Sequence, residues 1–135
     1  MPTAGIYAIL NDDATLKSEV GTDSTANIKV YPQTPPQDVT MPFVVITRSN
    51  TLPTDTKDAP SVLDEVAIQV DCYSKTYAKT QTIKERVRTL LDNYSGTSGG
   101  VNFDHITFAN EDEPPPDLDI GAFAVSQDYS VRIIR

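Results

Sequence analysis

The stretch from Glu65 to Asn93, EVAIQVDCYSKTYAKTQTIKERVRTLLDN, changes its hydrophobic period from two to about three and a half within a few residues. In its first third Val66, Ile68, Val70 and Cys72 alternate with Ala67, Gln69, Asp71 and Tyr73, the pattern of a strand with one face on a core. Beyond it Thr80, Ile83, Val87, Leu90, Leu91 and Tyr94 recur at helical spacing, which predicts a helix capped by Ser74 and ending near Asn93. Roughly twenty residues at about 1.5 Å each make a helix on the order of 30 Å, long enough to cross a sheet. Its other face carries Lys79, Lys84, Arg86 and Arg88.

Upstream, Ile6, Tyr7, Ile9, Leu10, Leu16 and Val20 suit one broken helix or two short ones, with Asp12 or Asp13 as a cap and Gly21 as a stop. Ile28–Tyr31 reads as a short strand ended by Pro32, and Pro32, Pro35 and Pro36 open an extended loop that runs to Met41-Pro42. Phe43–Thr47 is apolar on both alternating faces, which places it at the centre of the sheet, covered from both sides. Ser49–Leu63 holds Pro53, Asp55, Asp58 and Pro60 and is too long for a tight hairpin, so a projecting loop is expected there.

Downstream, Ser95–Gly100 has the glycine content of a flexible turn, and a strand is expected over Val101–Ala109. Glu111-Asp112-Glu113 followed by Pro114–Pro116, Asp117 and Asp119 forms a stiffened acidic loop. The last strand, Phe123–Ile134, sets Phe123, Val125, Tyr129, Val131 and Ile133 against Ser126, Asp128, Ser130 and Arg132, with Gln127 the one polar residue on the apolar side. The order α, α, β, β, β, α, β, β predicts an α+β fold: a mostly antiparallel sheet of about five strands, one long helix on a face, and short N-terminal helices. The second face needs cover for Val44 and Ile46, from the N-terminal helices or from a neighbouring subunit. The whole chain, 1–135, reads as one domain with projecting loops at 49–63 and 111–120.

The 135 residues, 39% hydrophobic and 22% charged, match an ordinary globular domain and exclude a disordered or fibrous one. The longest apolar runs, at 4–10 and 41–46, are far short of the ~20 residues that cross a bilayer, and no secretion signal is expected because acidic residues follow the first run at once. One cysteine, Cys72, excludes an internal disulfide and suits a reducing compartment. A net charge of −8 excludes a groove that grips nucleic acid, since phosphate binding needs clustered Lys and Arg. Residues 75–92 nevertheless carry five basic and two acidic residues, an asymmetry that offers attraction between identical subunits.

Residues with catalytic chemistry are few. His105 is the only histidine and lies in a strand, offset from Asp104 and Ile106, with no nucleophile fixed beside it. One Cys and one His cannot close a zinc site, the acidic run departs from calcium-loop spacing, and the glycines follow a helix instead of preceding one. Cys72 reads as a small buried hydrophobe, and Asn93-Tyr94-Ser95 as a chance sequon. No catalytic residue, metal or cofactor is expected, which leaves a structural or interaction role.

The succession Val30-Tyr31-Pro32, Pro36-Gln37 and Met41-Pro42-Phe43-Val44-Val45 resembles the small tail-completion or tail-terminator proteins of long-tailed bacteriophages. Val66–Tyr73, the basic helix ending Val87-Arg88-Thr89-Leu90-Leu91-Asp92, the opening Ile6–Leu10 with Asp13–Leu16, and the closing strand with Asp128-Tyr129-Ser130-Val131 extend the likeness over nearly the whole chain. The resemblance implies a ring, generally a hexamer, at the head-proximal end of the tail tube, in the neck of a virion assembled in the host cytoplasm. Such a ring ends tube polymerisation and docks the head connector, with no catalytic residues. The implied partners are other copies of the chain, the tail tube protein and the head connector or stopper, with no membrane.

The residues themselves support this role. A chain of this length is roughly 36 Å across, so six in a ring leave an opening wide enough for a duplex. An acidic lumen lets DNA pass without binding it. Subunit-interface candidates are Lys79, Lys84, Arg86 and Arg88; tube- or connector-facing candidates are Leu52, Asp55, Lys57, Asp58 and Leu63, with Asp112, Glu113, Asp117 and Asp119. The alternatives are a head-side stopper or adaptor of the same neck, and a small soluble ligand-binding α+β domain with a pocket between the long helix and the sheet. A hydrolase built on His105 is a third.

Overall fold

The computed structural model describes residues 2–21, 28–32, 41–54, 63–113 and 122–134. Two short helices open the chain, α1 (Pro2–Asn11) and α2 (Ala14–Val20). Asp13 caps α2, its carboxylate accepting from the Leu16 N–H at 2.8 Å, and Gly21 ends it at φ 91°, a backbone angle that favours glycine. Strands β1 (Val30–Pro32), β2 (Phe43–Thr54) and β3 (Leu63–Ser74) follow, then helix α3 (Tyr77–Leu91), and finally β4 (Gly96–Ser98), β5 (Val101–Asp112) and β6 (Phe123–Ile134).

The fold is α+β, with a six-stranded sheet in the order β1-β2-β3-β6-β5-β4. Four of its five strand pairings are antiparallel, while β1 runs parallel to β2. The sheet therefore has one strand more than the sequence predicts. The unforeseen β4 lies where Ser95–Gly100 reads as a flexible turn: the turn is confined to Gly99 and Gly100, and Gly96–Ser98 pairs with Val101–Phe103. Three residues are too few to show a period of two.

The centre of the sheet belongs to β3 and β6, and Phe43–Thr47 is one strand further out. Its double-sided apolarity has another cause. Val44 and Ile46 enter the main core, whereas Val45 is buried on the opposite face and Phe43 stacks on Tyr73 at 5.0 Å between ring centroids. Helix α3 has 15 residues instead of about twenty, with Thr76 as its N-cap; Ser74 sits two residues back, its hydroxyl accepting from the Thr76 N–H at 3.2 Å.

All three helices cover one face. Ile6, Leu10, Leu16 and Val20 from α1 and α2, and Ile83, Val87 and Leu91 from α3, share a core with Val44, Ile46, Val66, Val70, Ile106, Tyr129 and Val131. Val44 and Ile46 thus receive the cover they need from within the chain. Helix α1 approaches β4 and β5 closely because residue 5 is glycine: a Cβ there would lie 2.5 Å from the Phe103 ring.

Candidate interface surfaces

Helix α3 projects the four cations singled out in the sequence, and each one meets an acidic group of its own chain. Lys79 Nζ lies 2.7 Å from Glu19 of α2, Arg86 forms a forked pair with Asp13 at 2.6 and 2.8 Å, and Lys84 Nζ lies 2.7 Å from Glu111 and 3.9 Å from Glu113. Arg88 is the loosest, 3.9 Å from Asp92 with its guanidinium over the Phe108 ring. The surplus positive charge of residues 75–92 thus braces α3 against α2 on one side and β5 on the other. Hydrogen bonds from the Arg86 guanidinium hold the Asp13 carboxyl below its ordinary value.

The second brace is partly buried and fully connected. Gln127, the polar residue on the apolar side of β6, is completely buried; its amide donates to the Lys84 carbonyl and to Glu111, each at 3.1 Å, and accepts from the Tyr129 hydroxyl at 2.9 Å. Burial raises the Glu111 pKa, but hydrogen bonds from Lys84 and Gln127 outweigh that and hold the carboxyl low. Two residues further, Glu113 accepts from Gln81 at 2.8 Å and from the Tyr77 hydroxyl at 3.4 Å. The sequence shows Gln127 only as an anomaly, because the two groups its amide donates to are 16 and 43 positions away and carry no local signal.

These contacts correct the outline of both loops. Strand β5 continues through Asp112, so Glu111 and Asp112 are ladder residues and Glu113 is strapped to α3; β2 continues through Thr54 and β3 begins at Leu63. Leu52 and Leu63 therefore stand on strand backbone, paired with Glu65 and Thr54 respectively. A bulge between Arg48 and Asn50 carries β2 past the point where its hydrophobic pattern ends. Asp55, Lys57, Asp58, Asp117 and Asp119 lie outside the described residues.

The face of the sheet opposite the helices is built from the other parity of each strand. One row runs Tyr31, Val45, Asp71, Ser126, Asp112; a flanking row holds Phe43, Tyr73 and Ala124, and another holds Thr47, Gln69, Asp128 and Asn110. These rows contain three carboxylates and no Lys or Arg. Asp71 accepts from Ser126 at 2.6 Å and from Gln69 at 2.9 Å. Basic residues enter the face further along, where Glu65, Arg132 and His105 share a row.

His105 stands half-exposed beside Arg132. A bulge between Phe103 and His105 breaks the alternation assumed from sequence and brings the Asp104 carboxylate within 3.8 Å of Arg132 on the same open side. Cys72 is fully buried, and desolvation pushes its thiol far up, away from the reactive thiolate. Among the described residues no three His, Cys, Asp or Glu side chains gather as a metal site would require. The space between α3 and the sheet is filled by Ile83, Val87 and Leu91, and a shallow hollow on the outer side of α3 is lined by Glu85, Arg88, Thr89 and Asp92.

Fold and surfaces together define a two-layer α+β module with a braced helical side and an open, acidic-to-aromatic sheet side. Residues 4–133 match the tail completion protein gp17 family, and the chain belongs to that family of structural proteins of the phage virion tail. A search of curated proteins gives no match. Among solved structures, a chain from the virion of a native gene transfer agent particle is similar in fold. It shares 17% identity and a TM-score of 0.74, and the alignment covers 98% of this chain and 93% of that one.

Proposed function

We propose that copies of this protein close into a ring, six in number, at the head-proximal end of a phage tail tube, where the ring ends tube polymerisation and docks the head connector. The observation that carries this reading is the family match over residues 4–133. The fold shared with a chain of a gene transfer agent virion supports it. So do dimensions: twelve-residue strands such as β3 and β6 span on the order of 40 Å, in keeping with a subunit about 36 Å wide and a ring that admits a duplex. DNA passes without being bound, because a chain of net charge −8 repels phosphate.

A closed ring of identical subunits needs two different patches that meet head to tail. The cations of α3 remain the proposed basic patch, with Arg88 foremost. It is the most exposed of the four, and its 3.9 Å pair with Asp92 is looser than the pairs formed by Lys79, Lys84 and Arg86. The surface for tube and connector is assigned to the sheet end around Asp112 and Glu113 and to the loops that β2 and β5 lead into.

Negative-stain microscopy of tails assembled with and without this protein tests the proposal. Tails of uncontrolled length are expected in its absence, whereas tails of normal length that fail to join heads would favour the head-side stopper instead. Normal tails that join heads without it would end the reading.

A further inference from the structure

The open face of the sheet is uneven, and its unevenness points to a partner. Val45 is only 5% exposed, yet it lies opposite the helices and outside the main core cluster. Around it Phe43 stacks on Tyr73, both half-buried. Tyr77 and Phe123, which meet edge-on at 6.2 Å at the same end of the sheet, lie on the helix side and take no part in this face. Two of the ten Phe and Tyr residues of the chain are thus stacked on the open face where β2 begins and β3 ends. Asp71, Asp112 and Asp128 stand on the adjoining positions of the open face.

Aromatic residues beside charge, at a partly exposed sheet corner, are the composition of an interface centre with a polar rim. A wall that only lets DNA slide needs carboxylates and has no use for stacked rings. A second copy of this chain is a poor occupant: it carries −8 itself, and its one loosely paired α3 cation, Arg88, is already assigned to the proposed subunit contact. We infer that this corner docks a different protein of the virion, one that presents Lys or Arg around an apolar recess. The inference rests on the virion-tail reading and adds to it the chemistry of the partner and the face that meets it.

The test is photo-crosslinking in assembled particles, with p-benzoylphenylalanine replacing Phe43, and replacing Thr107 on the far half of the open face as a control. Phe43 crosslinks are expected to go to another protein, at least tenfold above Thr107. The double variant Asp112→Lys, Asp128→Lys should lower incorporation into particles about tenfold while the native mass of the purified protein stays unchanged. Crosslinks to a second copy of the chain or to DNA, equal yields at both positions, or undiminished incorporation of the charge variant would overturn the inference. If unsubstituted protein fails to enter particles at all, the virion reading falls and the inference with it.

Discussion

The two faces of the sheet are made by the same strands, residue by residue in alternation, yet they differ in how they are held. On the helix side Ile83, Val87 and Leu91 of α3 are fully buried, and the ion pairs of its flanks lock it to α2 and β5. On the open side the side chains are mostly half-exposed, with short bonds such as Ser130 to Glu65 at 2.7 Å. The lesson is that stability is concentrated on one face, which leaves the other free to be chosen for contact with other proteins.

The sharpest way to break this comparison is to substitute one residue on each side. Ile83→Ala, at a site with no exposure, should cost about 2–5 kcal/mol in a denaturant titration through lost burial and a cavity. Asp128→Asn on the open face should change stability by no more than about 0.5 kcal/mol. Comparable losses would mean that the open face also carries the fold.

A smaller effect sharpens the account of the buried polar brace. Gln127→Leu keeps the volume but leaves the Tyr129 hydroxyl without its acceptor and takes from Glu111 one donor beside Lys84, at a cost of about 1–3 kcal/mol. A variant as stable as the parent would show that the network carries no net stability.

Acid dependence comes next. The folded-state pKa values of Asp13 and Glu111 are depressed, so their stabilisation is complete above the ordinary carboxylate range near pH 4 and is lost as pH falls through the lower native values. Asp13→Asn keeps a good helix cap but removes the ionised partner of Arg86. The gap in stability between parent and variant should therefore be widest near neutrality and narrow below about pH 4. A gap that widens in acid would reverse the assigned sign. The smallest effect expected is from Arg88→Glu: it should leave the isolated fold nearly unchanged, since Arg88 is exposed and its pair is long, while weakening assembly at low salt.

Periodic elements could be read from the residues themselves. The strand Val66–Cys72, the stripe Ile83–Val87–Leu91 and the cap at Asp13 follow from local spacing, and each stands where that spacing puts it. What escaped was set by distant partners. Three-residue β4 and the parallel pairing of β1 have no period of their own, the bulges at Arg48/Asn50 and Phe103/His105 shift registers that alternation assumes fixed, and the acids that meet the α3 cations come from positions 13, 19, 111 and 113. Charge composition showed a basic helix on an acidic chain; only the fold shows that the two are joined within one molecule.

The central claim is that this tail completion protein works as a closed ring between tube and head. A density map of the intact particle at a resolution that traces the chain tests it most directly. The account predicts six copies arranged head to tail at the head-proximal end of the tube, with the aromatic corner of each sheet against a different protein. Copies placed elsewhere in the particle, or an open arrangement around the tube end, would contradict it.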